Sequence, residues 1–205
     1  MNRNEHWEQV YCNKFANQVS WYKSHLVRSI ELIHSSALSP DARIVDVGGG
    51  ASTLVDDLLA AGYKNIAVID LAGNAIQVSR QRLGDCAAQV DWIVGDATTS
   101  LLPDSSVDFW HDRAAFHFFT KDSDRTAYRE QLVRCIKIGG IVLVATFTLD
   151  GPEKCSGLPV TRYDALGILD VLGNQFEKLD ESIELHKTPG GNIQPFVYCL
   201  CRRRT

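Results

Sequence analysis

The sequence contains no apolar stretch long enough to cross a membrane. No run approaches the roughly 18 residues that a spanning helix needs, and the first ten residues, MNRNEHWEQV, have no apolar core of a secretory signal. The formal net charge is −4, so the chain also lacks the basic excess of a dedicated nucleic-acid-binding protein. These absences predict a cytoplasmic protein that binds neither a membrane nor a nucleic acid.

The six cysteines are scattered and include no Cys-x-x-Cys pair. A disulfide framework and a structural zinc site are therefore not expected, and we predict reduced thiols and no bound metal. The chain has 205 residues, of which 45% are hydrophobic and 22% charged. This size and composition are typical of one soluble globular domain.

Strand-like and helix-like segments alternate from residue 42 onward. The strand-like segments are RIVDVG, NIAVIDL, VDWIVGD, SVDFWHD and GIVLVATF. The helix-like segments between them are STLVDDLLAAG, GNAIQVSRQRLG and SDRTAYREQLVRCIKIGG, the last of which should end at Gly139 and Gly140. This alternation predicts an α/β fold in which helices cover both faces of a mostly parallel, doubly wound sheet.

The two flanks differ from this alternating core. Residues 1–41 have a helical pattern, and residues 149–205 contain a loop, a helix and two β-rich stretches joined by the turn PGGNIQ. Such a pair predicts an antiparallel hairpin at the edge of the sheet. We expect residues 1–41, 42–148 and 149–205 to belong to one domain, 1–205.

The stretch IVDVGGGAST, residues 44–53, joins the first strand to the first helix of the alternating core. Ligands of open α/β sheets bind at such loops, and glycines allow the backbone to turn tightly and a ligand to approach it. Asp46, Asp70 and Asp96 lie at the ends of three successive strands. Asp70 is placed to accept hydrogen bonds from ribose hydroxyls, and Asp96 to contact an adenine amino group. Each acid alone would also suit a turn or a helix cap.

Two common phosphate-binding loops are excluded by the same stretch. The third glycine of a dinucleotide fingerprint is replaced by Thr53, and the lysine of a P-loop is absent. Asp46, two residues before the first glycine, would repel phosphates. It suits a cationic ligand, such as a sulfonium that carries an α-amino group.

Taken together, the motifs resemble those of class I S-adenosylmethionine-dependent methyltransferases. The resemblance covers IVDVGGGAST, AVIDLAGNAI, VGDAT, VDFWHDRAAFHFF and IKIGGIVLVATF in order and spacing, within residues 42–148. It implies a Rossmann-like seven-stranded sheet with an antiparallel C-terminal strand. It also implies S-adenosylmethionine as cofactor, S-adenosylhomocysteine as product and methyl transfer by direct displacement. The cofactor-binding residues that it implies are Asp46, Gly48, Gly49, Gly50, Asp70, Leu71, Asp96, Ala97, His111 and Trp21.

The run WHDRAAFHFF supplies the catalytic and substrate-binding candidates. His111 is the candidate base because histidine titrates near about pH 6.5, and Asp112 could orient it or the substrate. Arg113 could pair with a substrate carboxylate, and His117 is a further substrate-binding candidate. Successive side chains of a strand point to opposite faces, so either His111 or Asp112 could instead be a structural partner. Because His117 lies at the apolar start of a helix, the pattern favours a buried core histidine over a substrate contact.

The segment HWEQVYCNKFANQVSWYKSHL resembles the aromatic helical lid of a subgroup that includes small bacterial enzymes and protein-lysine methyltransferase relatives. Trp21 would then contact the cofactor and Tyr22 the substrate, because aromatic faces attract a sulfonium cation. The alternative is that these aromatics only pack the lid onto the sheet. Cys155, in the loop after the fifth strand, is a candidate substrate contact, and the position of His186 is left open.

The expected enzyme methylates a small molecule or a protein side chain, as a monomer or homodimer. Whether the acceptor atom is N, O or S is left open. A non-catalytic module that binds the nucleoside and an NAD(P)-dependent oxidoreductase are the alternatives. The second is disfavoured by Thr53 and by the absence of a Tyr-x-x-x-Lys pair.

Overall fold

The computed structural model describes residues 2–13, 15–99 and 101–205. Its centre is a seven-stranded sheet with the order β3-β2-β1-β4-β5-β9-β8. The strands of this sheet are β1 (Arg43–Val47), β2 (Asn65–Asp70), β3 (Val90–Val94), β4 (Val107–Arg113), β5 (Ile136–Phe147), β8 (Phe176–Lys187) and β9 (Ile193–Arg203). Two short strands, β6 (Lys154–Cys155) and β7 (Leu158–Pro159), form a separate antiparallel pair.

Six α-helices accompany these strands in the described ranges. They are α1 (Arg3–Asn13), α2 (Val27–Ser35), α3 (Leu54–Ala60), α4 (Gly73–Leu83), α5 (Asp122–Cys135) and α6 (Ala165–Leu172). Short 3-10 helices cover Ala16–Gln18, Gly84–Gln89 and Phe116–Phe118. Within the described ranges, no helix has the length and apolarity that a membrane crossing requires.

The pairing of the strands confirms the predicted sheet. β1 pairs in parallel with both β2 and β4, so the strand order reverses beside β1. β9 pairs antiparallel with β5 and with the edge strand β8. The predicted C-terminal hairpin is therefore present, and its second strand lies inside the sheet. The reversal beside β1 opens a crevice at the carboxyl ends of β1 and β4.

Apolar residues bury both faces of the sheet. On one face, Trp110 and Val144 pack with Tyr128 of α5 and Ile168 of α6. On the other face, a second cluster joins the sheet to α2 and α3. Members of that second cluster are Ile33, Ile44, Leu54, Leu58, Phe109 and Leu143. The central strands are covered on both sides, which explains their nearly continuous apolar sequence.

The predicted end of the helix after β4 was wrong. The helix α5 ends at Cys135, and IKIGG already belongs to β5. Ser105 and Ser106 donate backbone hydrogen bonds to the carbonyl groups of Arg134 and Cys135, which end the helix. Ile136 then pairs with Val107, and a register shift follows in the ladder. The two glycines thus lie in an irregular strand start rather than in a helix cap.

The N-terminal prediction of a helical segment over 1–41 was only partly right. α1 and α2 are helical, but residues 19–26 between them are not. Met1 and Lys14, which also belong to this predicted segment, lie outside the described residues.

Candidate active site

The loop between β1 and α3 requires its three glycines for different reasons. Gly48 has φ +67°, and a Cβ atom there would lie 2.9 Å from Cβ of Ala115. At Gly49 a Cβ would lie 2.2 Å from Oδ2 of Asp46, and at Gly50 it would lie 2.7 Å from Oδ2 of Asp70. The loop therefore passes against two carboxylates, and side chains would not fit between them.

Two adjoining cavities lie beside this loop. The main cavity has about 720 Å³ of empty space, part of it open to solvent. Its lining includes Trp7, Tyr11, Trp21, Gly48, Asp70, Leu71, Asp96, Ala97, Arg113, Ala115, Phe118 and Phe119. The side cavity is smaller and is lined by Tyr11, Trp21, Tyr22, Lys23, Asp46, Gly48, Gly49, Thr53, His111 and Arg113, among others. Nine of the ten predicted cofactor residues line one of these two spaces, and the tenth, Gly50, donates its backbone N–H to Asp70.

Asp70 ends β2 at the floor of the main cavity. Its Oδ2 accepts a hydrogen bond from the backbone N of Gly50 at 2.9 Å, and its Oδ1 accepts one from Ala72 at 2.8 Å. Burial raises the pKa of Asp70 to about 6, although these two N–H groups act in the opposite direction. The carboxylate is thus fixed in place while each oxygen keeps a lone pair for a further donor.

Asp96, Ala97 and Leu71 also line the main cavity. Oδ1 of Asp96 accepts hydrogen bonds from the backbone N and the hydroxyl of Thr98, at 2.9 and 2.7 Å. Ala97 is buried beside it. The turn after β3 therefore holds its acid at the rim of the cavity through local bonds.

Asp46 and His111 form a buried hydrogen-bonded chain with Ser29. Oδ1 of Asp46 lies 2.7 Å from Nδ1 of His111, and Nε2 of His111 lies 2.9 Å from the hydroxyl of Ser29. All three residues are at most 2% exposed. Oδ2 of Asp46 has no hydrogen-bond partner among the residues that the structure describes. Both nitrogens of His111 are engaged, so the ring lines the side cavity without a free nitrogen for proton transfer.

Asp112 does not reach either cavity, contrary to the expectation from the sequence. Its neighbours in β4 face the side cavity, so strand alternation directs Asp112 to the opposite face of the sheet. Tyr128 donates its phenol hydrogen to Oδ2 at 2.9 Å, and the backbone N of Phe116 donates to Oδ1, also at 2.9 Å. Burial raises the pKa of Asp112 to about 6. The carboxylate braces the turn after β4.

His117 and Cys155 are core residues rather than cavity residues. The His117 ring is fully buried against Phe118 and Phe147, with ring centroids 4.5 and 4.8 Å apart. Burial, followed by the charge of Arg113, lowers the pKa of His117 to about 3. Burial also raises the pKa of the Cys155 thiol to about 12. Both groups are neutral near pH 7 and line neither cavity, so the expectation that they contact the substrate is corrected.

His186 lies in β8 beside the lid segment. Its Nε2 is 2.7 Å from the carbonyl oxygen of Ser20. It lines neither cavity, and the contact holds the C-terminal hairpin against the segment that precedes Trp21.

Aromatic residues cover the main cavity from the N-terminal side. The Trp7 ring packs edge-on against Trp21 and Phe118, with centroids 5.7 and 5.0 Å apart. Tyr11 lines the same cavity. Burial, followed by the carboxylate of Asp70, raises the pKa of its phenol well above the usual value. Aromatic side chains of the N-terminal segment therefore line the cavity next to the strand ends, and their role as a lid stays a prediction.

Glu8 attaches α1 to the beginning of α4. Its Oε1 accepts a hydrogen bond from the backbone N of Gly73 at 2.7 Å, and its Oε2 accepts one from Asn74 at 3.1 Å. Asn4 donates to the carbonyl oxygen of Leu71 at 2.7 Å. Glu8, Ser29 and Phe118 could not be predicted as site residues, because their partners are distant in sequence. The one sequence signal for Glu8 is Gly73, which begins α4 shortly after the acidic end of β2. A glycine has no side chain that could cap the helix, so the cap has to come from another segment.

No group of three or more histidine, cysteine or acidic residues is arranged to hold a metal ion within residues 2–13, 15–99 and 101–205.

Comparisons with known proteins agree with this geometry. A family model described as a methyltransferase domain matches residues 45–144. The chain is 22% identical over 142 residues to the eEF1A lysine and N-terminal methyltransferase of Mus musculus, which covers 66% of this chain and 20% of that protein. The chain thus spans about a fifth of the length of this curated relative and of its bovine counterpart.

Solved structures that resemble nearly the whole chain include the following two. One is described as the conversion of a disulfide bond into a thioacetal group during echinomycin biosynthesis. It has a TM-score of 0.81 at 17% identity and covers 99% of this chain and 94% of that chain. The other is the 1,6-didemethyltoxoflavin-N1-methyltransferase of Burkholderia thailandensis with bound 1,6-didemethyltoxoflavin and S-adenosylhomocysteine. Its TM-score is 0.76 at 16% identity, over 98% of this chain and 87% of that chain.

Proposed function

We propose that the chain is a class I S-adenosylmethionine-dependent methyltransferase that methylates a small organic molecule inside the lid-covered main cavity; the methyltransferase-domain model that matches residues 45–144 supports the family assignment. The observation that carries the proposal is the enclosure of the strand ends by Trp7, Trp21 and Phe118. A covered cavity admits a small acceptor more readily than a side chain on a folded protein. Two of the solved structures that resemble nearly the whole chain have small-molecule chemistry in their descriptions, which supports the same choice.

The residues at the strand ends fit S-adenosylmethionine. Oδ2 of Asp46 is a buried acceptor without a partner among the described residues, and an ammonium group would satisfy it. Asp70 has remaining acceptor capacity for two ribose hydroxyls, and Asp96 with Ala97 and Leu71 would surround the adenine. Trp21 and Tyr11, which line both cavities, would place aromatic faces near a sulfonium cation.

The bound cofactor supplies an activated methyl group, and the protein's own contribution is alignment and exclusion of water. His111 would orient Asp46 rather than accept a proton, because Asp46 and Ser29 engage both of its nitrogens. Asp112 would hold the turn after β4. We therefore propose an acceptor that arrives as a competent nucleophile, without a protein base.

Titration calorimetry with S-adenosylhomocysteine tests the cofactor site. We expect the wild-type protein to bind it and Asp70→Ala to lose most of the affinity, because two hydroxyl hydrogen bonds to a charged acceptor disappear. Asp85→Ala, at an exposed position outside both cavities, is the matched control and should bind normally. No binding by the wild-type protein would overturn the assignment.

Transfer of a labelled methyl group tests the acceptor class. Thiols, amines, carboxylic acids and phenols of low molecular weight should be compared with lysine-containing and N-terminal peptides. Labelling of small molecules alone supports the proposal, and labelling of peptides alone contradicts it. If the protein binds S-adenosylhomocysteine but labels nothing in either set, the non-catalytic binding module becomes the better description.

A further inference from the structure

Arg113, the last residue of β4, is a buried cation that lines both the main and the side cavity. Its side chain is only 4% exposed. Nε donates a hydrogen bond to the phenol oxygen of Tyr198 at 3.0 Å, and Nη1 donates one to the carbonyl oxygen of Trp21 at 3.0 Å. The guanidinium carbon lies 4.4 Å from the ring centroid of Phe196. These three contacts fix the plane and the direction of the guanidinium.

The remaining nitrogen, Nη2, has no hydrogen-bond partner among the described residues. The nearest carboxylate oxygen is Oε2 of Glu184, at 3.9 Å, which is beyond hydrogen-bond distance. Glu184 already accepts hydrogen bonds from Lys23 at Oε1 and, at 2.8 Å, from Tyr198 at Oε2. Glu184 therefore does not satisfy the hydrogen-bonding capacity of Nη2.

Two histidines close to the charge of Arg113, His117 and His186, do not hydrogen-bond to Nη2 either. Burial lowers the pKa of both His117 and His186, and the guanidinium lowers it further in each case. The neutral imidazole rings therefore supply no negative charge that could compensate the positive charge of the guanidinium. A buried donor of a charged group that lacks a partner costs free energy, so its retention points to a ligand that completes it.

We propose that Nη2 of Arg113 binds an oxyanion, a carboxylate or a phenolate, at the junction of the two cavities. The anion could belong to the methyl acceptor or be the α-carboxylate of the cofactor. The inference rests on the proposed function, which it deepens by naming the chemistry of the group that Arg113 recognises. Arginine suits this role because its rigid planar fork is already oriented before the ligand binds.

Two pairs of probes test the proposal and separate its two sources. The first pair is S-adenosylhomocysteine and 5′-methylthioadenosine, which lacks the amino-acid portion. The second pair is benzoate and its uncharged analogue benzamide, titrated with and without S-adenosylhomocysteine. Binding is followed by the fluorescence of the protein, because Trp7 and Trp21 line the main cavity. Each titration is made with the wild type, Arg113→Lys and Arg113→Met.

If the cofactor carboxylate is the partner, Arg113→Met weakens S-adenosylhomocysteine by roughly 10- to 100-fold and leaves 5′-methylthioadenosine unchanged, as expected for a lost charged hydrogen bond. If the acceptor is the partner, the wild type prefers benzoate to benzamide by a similar factor, and Arg113→Met loses the preference. Arg113→Lys should retain part of either effect.

The inference is overturned if S-adenosylhomocysteine affinity survives in Arg113→Met and the wild type does not distinguish benzoate from benzamide. If the variants fail to fold, the wild type alone still tests the inference: no preference for benzoate over benzamide, together with no preference for S-adenosylhomocysteine over 5′-methylthioadenosine, would overturn it. Failure of the wild type to bind S-adenosylhomocysteine would instead count against the proposed function.

Discussion

A Cβ atom at Gly49 would lie 2.2 Å from Oδ2 of Asp46. Gly49→Ala should therefore displace the Asp46 carboxylate, destabilise the protein by about 1–3 kcal/mol and weaken S-adenosylhomocysteine binding. Gly73→Ala is the matched control, because its nearest contact is Oε1 of Glu8 at an ordinary 3.5 Å. Thermal unfolding and calorimetry measure both effects. If Gly49→Ala and Gly73→Ala had the same stability and the same affinity, the loop would have space for a side chain at Gly49, and the prediction would be wrong.

The two buried carboxyls, Asp70 and Asp112, make stability depend on pH, and Asp70 also makes cofactor binding depend on pH, in the opposite direction. Each has a pKa raised from 3.8 to about 6 by burial, so the folded protein holds extra protons between about pH 4 and 6. The free energy of unfolding should fall as the pH rises through this window, by at most about 3 kcal/mol per carboxyl. Cofactor affinity should rise over the same window, because ionised Asp70 is the better acceptor.

Denaturant unfolding and calorimetry from pH 4 to pH 8 test these trends. Asp112→Asn should flatten the stability profile and leave the binding profile unchanged, whereas Asp70→Asn should flatten both. A free energy of unfolding that rises from pH 4 to pH 6, with these two residues responsible, would contradict the assignment.

At the scale of residues, the site positions that belong to strand-end loop motifs could be predicted from the sequence. Asp46, Asp70 and Asp96 with the three glycines could be predicted, because strand ends of a parallel sheet meet at one edge. The roles of His111 and Asp112 could not be predicted, since they depend on partners far along the chain. Ser29 lies 82 residues from His111, and the contact of Tyr128 with Asp112 depends on how the predicted helix packs against β4, which the sequence pattern does not show.

At the scale of elements, α1 is held over the main cavity by the contact of Glu8 with the start of α4. Glu8→Ala should increase the dissociation rate of S-adenosylhomocysteine by about fivefold, which corresponds to about 1 kcal/mol for a lost helix cap. Stopped-flow fluorescence measures this rate. Glu130→Ala, at an exposed position in α5, is the control. An unchanged rate would mean that α1 does not control release.

The elements of the alternating core could be predicted because their apolar periodicity is strong and glycines mark their ends. The boundary between α5 and β5 could not, because the helix is ended by backbone donors of Ser105 and Ser106 rather than by its own sequence. The non-helical stretch over 19–26 follows from contacts with the C-terminal hairpin. His186 meets Ser20 there, and Lys23 pairs with Glu184.

At the scale of the whole molecule, the N- and C-terminal segments pack on each other. Besides the contacts of Ser20 and Lys23, Nε of Arg28 donates a hydrogen bond to Ser182 at 2.9 Å. We therefore predict that residues 1–41, 42–148 and 149–205 form one domain and unfold in one cooperative transition. Circular dichroism and tryptophan fluorescence should give coincident transitions, and an earlier fluorescence transition would indicate a separately folding lid. The oligomeric state, monomer or homodimer, stays a prediction that light scattering can measure.

The central claim is that the carboxyl ends of β1 and β2, under the aromatic lid, hold the cofactor. The most direct measurement is a crystal structure of the protein with S-adenosylhomocysteine. We predict the ligand beside the loop of Gly48, Gly49 and Gly50, with its ribose on Asp70 and its amino group on Asp46. A ligand bound elsewhere, or no ligand beside this loop at saturating concentration, would contradict the account.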